Sequence, residues 1–410
     1  MDVRLSAFSP KGIADAPPSK SAGHRMLILA ALADGESHIH MKTSNEDIDA
    51  TVRCLQQLGA TITRTDCGWS VSPISAPPAS AVLDCGESGS TLRFLVPVAA
   101  ALGVNATFMG RGRLPFRPME PLKDALKKHG VTVNDGFPIE IGGKLQSGSF
   151  SLPGNVSSQF FTGLMLALTR TSEKSVVQIT PPVESESYMR LTLDTLRRFG
   201  VPVDQNDHSY TMEPTMPKSG DYAVEGDWSN AAALLCLGAA VRGLDKNSSQ
   251  GDRKVLDVLR AFGAKISRKD CVFQANLSAL HGIDLNAADI PDLVPVLAAV
   301  AATADGTTHI TGAMRLRLKE SDRIESTCAL INTLGGFAQA TDDGLIIRGK
   351  PMLSGGTVSS FGDHRIVMAA AVLAQKCSSP VVVTDAQAIN KSYPTFFETL
   401  QSIGGAPHVL

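Results

Sequence analysis

The 410-residue chain is longer than one hydrophobic core usually grows, so two domains are expected. A formal net charge of −2 gives no long-range field for nucleic acid or an anionic membrane, and any positive potential must be local. Hydrophobic content of 43% with only 5% aromatic residues excludes a disordered chain and fits α/β layers with closely packed helices. Seven cysteines (Cys54, Cys67, Cys85, Cys236, Cys271, Cys328 and Cys377) form no C-x-x-C pair. Their odd number and wide spacing speak against a disulfide framework or a zinc site and for a reducing, cytoplasmic setting. Residues 1–10 lack a basic stretch followed by an apolar one, and apolar runs such as 231–241 are too short for a membrane span, so a soluble protein is expected.

In chain order, Pro17-Pro18-Ser19-Lys20-Ser21-Ala22-Gly23-His24-Arg25 reads as a stiff turn and then a hydroxyl-rich helix start flanked by Lys and Arg. Its plain reading is an ordinary N-cap with exposed basic residues. Gly86-Glu87-Ser88-Gly89-Ser90-Thr91-Leu92-Arg93 is a loop whose glycines let backbone amides approach a ligand closely, or equally a capped helix start. Gly110-Arg111-Gly112-Arg113-Leu114-Pro115-Phe116-Arg117-Pro118 carries three arginines in a segment too broken by Gly and Pro for regular structure, which predicts a shaped loop. Ser157-Ser158-Gln159 opens an apolar helix with hydroxyl and amide donors. Further on, Asp292 stands at the start of an apolar helix, and Lys319-Glu320-Ser321-Asp322-Arg323 interleaves cations with carboxylates just ahead of another. Asp363-His364-Arg365 repeats that theme, and Lys391 precedes Tyr393-Pro394, where a last surface helix is predicted to begin. Residues 344–350 approach a P-loop, but Pro351 replaces the required Ser or Thr and Leu345-Ile346-Ile347 reads as a strand.

Arg25, Arg93, Arg323 and Arg365 are each predicted in the first turn of a helix. A cation there opposes the helix dipole unless an anion sits in front of both, and the free N–H groups of a helix start already cradle anions. Four such arginines, with fork-shaped guanidinium groups, point to a small, multiply anionic ligand bearing phosphate or carboxylate. Neighbouring cations lower a carboxylate's pKa while burial raises it, so the Lys319 to Arg323 segment has the means to supply a base and an acid.

A repeat underlies these motifs. Surface helices close on a glycine and enter a strand at Gly59, Gly130, Gly200, Gly263, Gly335 and Gly404, spaced by 71, 70, 63, 72 and 69 residues. Between them run more apolar helices over residues 24–33, 91–102, 159–169, 229–241, 292–304 and 364–375, predicted to be buried. Strands are predicted at 37–41, 107–109, 176–180, 308–310 and 381–384. The unit is about 70 residues long. Three units per domain predict one domain of residues 1–15 plus 226–410 and a second of 16–225, with the ligand cleft between them.

The order SKSxxxR, GxSGSTLR, GRxRxxxRP, SSQF, IPD, KESDR, GDHR and KSYP resembles the 5-enolpyruvylshikimate-3-phosphate synthase family of enolpyruvyl transferases over essentially the whole chain. The resemblance implies a two-domain inside-out α/β barrel, each domain three βαβαββ repeats around buried helices. It implies transfer of the enolpyruvyl group of phosphoenolpyruvate to the 5-hydroxyl of shikimate 3-phosphate, with release of phosphate and without metal or organic cofactor. It also implies a cytoplasmic monomer that is a target of glyphosate, with no nucleic-acid or membrane partner. Carried over by motif, Lys20, Ser21, Arg25, Ser157, Ser158, Gln159, Ser185, Asp292 and Lys319 meet shikimate 3-phosphate. Lys20, Gly89, Arg113, Gln159, Arg323, Arg365 and Lys391 meet phosphoenolpyruvate. Asp292 takes the 5-hydroxyl proton, and Glu320, or else Lys20, protonates the methylene carbon.

Departures from the family pattern are Arg315 where many members have Asn, Glu87-Ser88 before Gly89, and Phe94 after Arg93. The alternative reading is a sibling transferase acting on a uridine-diphosphate amino sugar. That sibling has Lys-Asn in place of Lys20-Ser21 and a loop cysteine near Arg113, whereas no Cys lies between Cys85 and Cys236 here. A non-catalytic module binding anions or RNA phosphates is disfavoured by the neutral charge and by Asp292 with Glu320.

Overall fold

The computed structural model describes all of residues 1–410 and divides into two compact units, Met1–Pro17 with Glu225–Leu410 and Pro18–Val224. Twelve α-helices alternate between two kinds. The apolar series is α1 (Lys20–Ala31), α3 (Gly89–Leu102), α5 (Ser158–Leu168), α7 (Trp228–Cys236), α9 (Val294–Ala301) and α11 (His364–Ala374). The second series, α2 (Glu46–Gln57), α4 (Glu120–Lys127), α6 (Glu186–Arg198), α8 (Val255–Ala261), α10 (Arg323–Thr333) and α12 (Phe396–Ser402), keeps one face in solvent. Every residue of α9 and α11 is buried, as their nearly unbroken Ala, Val and Leu content requires.

Six four-stranded sheets surround the buried helices, three in each unit. The strands Ser80–Asp84, Asn105–Met109, Val131–Val133 and Ile139–Gly143 show the pattern: the first two pair in parallel across α3, and the last two form a hairpin whose second strand pairs antiparallel with the second of the sheet. With α3 and α4 between them this is one βαβαββ repeat. Each unit closes its ring with a strand from its far end. Asp221–Ala223 runs parallel to Ser37–His40 in one unit, and in the other Val3–Leu5 pairs antiparallel with both Val381–Thr384 and His408–Val409.

The six helix-closing glycines all have φ between 73° and 106°, the left-handed region in which a side chain is disfavoured. Two sequence expectations need correction. The apolar run 229–241 is not one helix: α7 stops at Cys236, Gly238 turns the chain, and Ala240–Arg242 is a strand pairing in parallel with Ile13–Asp15. Nor do all four arginines lie in a first turn. Ser19 and Ser88 accept hydrogen bonds from Ala22 and Thr91, so α1 and α3 begin early, and Arg25 and Arg93 fall one turn inside. Arg323 and Arg365 do open α10 and α11, each behind an aspartate cap. The last helix starts at Phe396, after Tyr393-Pro394, and Asp292 lies on the 3-10 turn Pro291–Leu293 that leads into α9.

Candidate functional site

In the unit Pro18–Val224 the starts of α1, α3 and α5 meet side by side. Gln159 joins two of them, accepting from Arg93 Nη1 at 2.7 Å and donating to Ser90 Oγ at 2.9 Å. Helices α3 and α5 approach closely because Gly163 faces the α3 backbone, where a Cβ would overlap the Arg93 carbonyl oxygen. Arg25 ties α1 to α5 and α6: Nε donates to Thr192 Oγ1 (2.9 Å), Nη1 to Ser21 O (2.7 Å), and Nη2 to Thr162 Oγ1 (3.0 Å) and Tyr188 O (3.1 Å). The residue is 2% exposed and all four acceptors are neutral. A guanidinium has five N–H groups, so one on Nη1 remains for a ligand. Burial pulls Arg25 down to about 9, the mark of a cation removed from water without a carboxylate to offset it.

Lys20 pairs with Asp47 at 2.7 Å. Ser157 caps α5, accepting from the Gln159 N–H, and Ser158 is the first residue of that helix. Ser185, only 3% exposed, precedes α6 with φ 55° and ψ 38°, a left-handed conformation that a serine adopts at a cost of about 1 kcal/mol. His24 is fully buried, and burial takes it down to about 3, so it is neutral at physiological pH. Its Nδ1 meets Thr51 Oγ1 at 2.8 Å, Thr51 meets Thr91, and Thr91 meets the cap Ser88, a neutral chain that fixes α1 against the start of α3.

Within the loop of residues 110–118, Arg113 is exposed and stands just ahead of the 3-10 turn Leu114–Phe116. The residue brought to Gly89 is instead Arg117, whose Nη1 lies 2.7 Å from where a Cβ on Gly89 would be, with Arg93 Nη1 and Gln159 Oε1 at 3.6 and 3.7 Å. Both Arg93 and Arg117 stood in sequence motifs, but neither was among the residues carried over to the substrates. The signal for Arg117 was its place before Pro118, which fixes the chain at the end of the loop.

In the other unit the centre is Arg323, 1–2% exposed at the start of α10. Its Nε donates to Asp363 Oδ2 at 2.7 Å, Nη2 to Asp363 Oδ1 at 3.2 Å and to Glu320 Oε2 at 2.8 Å, and Nη1 to Asp292 Oδ1 at 2.8 Å. Four of its five N–H groups are therefore taken by three carboxylates, leaving one on Nη1 for a ligand. Lys319 Nζ also reaches Asp292, at 3.4 Å. Burial alone would raise Asp292, but Lys319, Arg323 and Arg365 together outweigh it and hold the carboxyl well below the usual range, ionised. Burial pulls Lys319 down against the opposing attraction of Asp292. Arg365 is 4% exposed; its N–H meets Asp363 Oδ1 at 2.9 Å, and Nη1 donates to Ser229 O in the first turn of α7 at 2.8 Å. Asp363, buried and read in the sequence only as part of its motif, thus caps α11 and pairs with Arg323 at once. Lys391 is 5% exposed at the end of the 3-10 turn Ala386–Lys391. Arg315, one of the departures, donates to Ala288 O at 2.8 Å. No group of three or more His, Cys, Asp or Glu side chains is arranged to hold a metal ion, and no helix is long and apolar enough to cross a membrane.

A buried cation without a carboxylate partner one turn inside α1, buried cations at the starts of α10 and α11, and an ionised carboxylate among cations define a protein that handles small, multiply anionic molecules. The chain belongs to the EPSP synthase (3-phosphoshikimate 1-carboxyvinyltransferase) family, whose model it matches over residues 10–400. It is 41% identical to a 3-phosphoshikimate 1-carboxyvinyltransferase of Clostridium kluyveri, covering 98% of this chain and 97% of that one. It is 36% identical to another from Methanocorpusculum labreanum, over 98% of this chain and 99% of that one. Among solved structures it is similar to an EPSP synthase from Acinetobacter baumannii, with a TM-score of 0.82, 25% identity and full coverage of both chains.

Proposed function

We propose that this chain is a 3-phosphoshikimate 1-carboxyvinyltransferase, transferring the enolpyruvyl group of phosphoenolpyruvate to the 5-hydroxyl of shikimate 3-phosphate and releasing phosphate. The observation that carries the reading is Arg25, a buried guanidinium held only by neutral acceptors, with one N–H left for an anion. Lys20, Ser21, Arg25, Ser157, Ser158, Gln159, Ser185, Asp292 and Lys319 serve shikimate 3-phosphate. Lys20, Gly89, Gln159, Arg323, Arg365 and Lys391 serve phosphoenolpyruvate, and so does Arg113 by its motif, although Arg117 is the better placed against Gly89.

Asp292 enters the reaction ionised, and anions binding to Lys319, Arg323 and Arg365 relieve the pull of those cations, so its basicity rises as the substrates assemble. Ionised Asp292 takes the 5-hydroxyl proton as that oxygen bonds to the phosphate-bearing carbon, and Glu320, beside it on Arg323, delivers to the methylene carbon a proton first taken up from solvent; loss of a methyl proton then expels phosphate and restores the double bond. The enzyme works as a cytoplasmic monomer, which sedimentation and cell fractionation test.

Phosphate release is expected only with both substrates present. Turnover without shikimate 3-phosphate, or with a uridine-diphosphate amino sugar in its place, counts against the reading. Gly89→Ala places a methyl 2.7 Å from Arg117 Nη1, the movable end of a side chain. The fold therefore tolerates it, while the KM for phosphoenolpyruvate rises and glyphosate inhibits less. Inhibition as strong as in the parent removes Gly89 from the phosphoenolpyruvate contacts.

A further inference from the structure

Asp252 is a buried carboxylate that the reaction outlined above does not use. It lies on the 3-10 turn Gly251–Lys254, 1% exposed, and the Ser229 hydroxyl donates to its Oδ2. Its Oδ1 has no hydrogen-bond partner, and neither does the buried Nε of Arg365. The same Ser229 whose hydroxyl is held by Asp252 offers its carbonyl to Arg365 Nη1. Gln250 completes the clamp on the start of α7, accepting from the Trp228 N–H at 3.0 Å and donating to Gly226 O at 2.9 Å. A purely structural role would be filled at lower cost by asparagine, because an ionised carboxylate buried with one hydrogen bond is expensive. The charged neighbours are Asp292 ahead of α9 and Asp227 at the cap of α7, which repel it, and Arg365 on α11, which attracts it.

We infer that Asp252 is a positioning residue for Arg365, fixing through Ser229 the pose in which that guanidinium receives the anionic substrate. The inference rests on the proposed role of Arg365 in binding phosphoenolpyruvate. A second consequence follows from the charges. Burial, then Asp292, raise Asp252 to about 7, against the opposing effects of Ser229 and Arg365. An anion on Arg365 cancels that arginine's pull, so Asp252 gains a proton as phosphoenolpyruvate binds, and affinity falls as pH rises through about 7.

The test is steady-state kinetics of the full chain between about pH 6 and pH 9, on the parent, Asp252→Asn, Asp252→Ala and Ser229→Ala. Asp252→Asn keeps an acceptor for Ser229 but cannot titrate. Its KM for phosphoenolpyruvate should stay near the parent's low-pH value while the parent's climbs about tenfold. The ionisation of phosphoenolpyruvate itself is common to both enzymes and cancels in the comparison. Asp252→Ala and Ser229→Ala, which break the tie, should raise that KM about tenfold with kcat within about threefold. Asp252→Asn should also melt higher than the parent at pH 8 by more than at pH 5, since a carboxyl raised by the fold costs stability as it ionises. If Asp252→Asn tracks the parent across the pH range, or the alanine variants lower kcat and leave KM alone, the inference is wrong. A parent that releases no phosphate from the two substrates overturns the proposed function instead.

Discussion

Arg323→Ala is expected to lower stability by about 3–5 kcal/mol and to leave almost no turnover. One guanidinium holds Asp363, Glu320 and Asp292, and Asp363 has no exposure through which water could replace it. Removing the cation leaves three carboxylates facing one another. The result is repulsion and a rise in their proton affinity, so Asp292, left with Lys319 and Arg365 alone, is held less firmly in the ionised state its role requires. The loss of stability should shrink as pH falls below about 5, where protonation relieves the repulsion, and thermal melts across that range check it. Arg323→Lys restores a charge but only a compact one. It should recover part of the stability and little of the activity, because Lys cannot span three carboxylates. An alanine variant that melts with the parent would mean that these ion pairs do not hold the site together.

The second large effect is on chemistry. Asp292→Asn and Glu320→Gln should each reduce kcat by about a hundredfold or more with substrate affinity within a few fold, as steady-state kinetics would show. Both amides keep an oxygen that can accept from Arg323, so the framework survives and the proton steps are lost. Because its cations hold Asp292 well below the usual carboxylate range, its base form persists as pH falls and fails only below that range. An acid limb near neutrality therefore belongs to another group. Solvent deuterium entering the methylene carbon of the transferred enolpyruvyl group separates the two carboxylates: unimpaired incorporation in Glu320→Gln assigns the donor elsewhere, with Lys20 first in line.

Much of the architecture was legible because it is written in local rules. A glycine after each surface helix marks the repeat, and all six occupy the left-handed region. The buried helices betrayed themselves by apolar residues on every side. What failed was locating ends inside apolar stretches: Gly238 was too weak a break, within residues 229–241, to signal that a helix had given way to a strand. The helix starts at Ser19 and Ser88 were present as capping residues, yet the arginines drew attention one turn too far along. Within the site, motif residues were readable but their partners were not. Asp363 and Asp252 look like ordinary turn aspartates, and only tertiary packing shows that one pairs with Arg323 and the other sits beneath Ser229. Arg117 and Arg113 differ by a single 3-10 turn, and side-chain direction rather than composition separates them.

The partition of the chain has a kinetic consequence during synthesis. Residues Pro18–Val224 form one unbroken stretch with every strand of their own three sheets, so that unit can fold as soon as it is free of the ribosome. The other unit has strands at both ends of the chain. Val3–Leu5 pairs only with Val381–Thr384 and His408–Val409, at the far end of the same unit in sequence. Val3–Leu5 therefore has no strand partner of its own until those distant strands have been made, so its unit cannot complete that sheet before them.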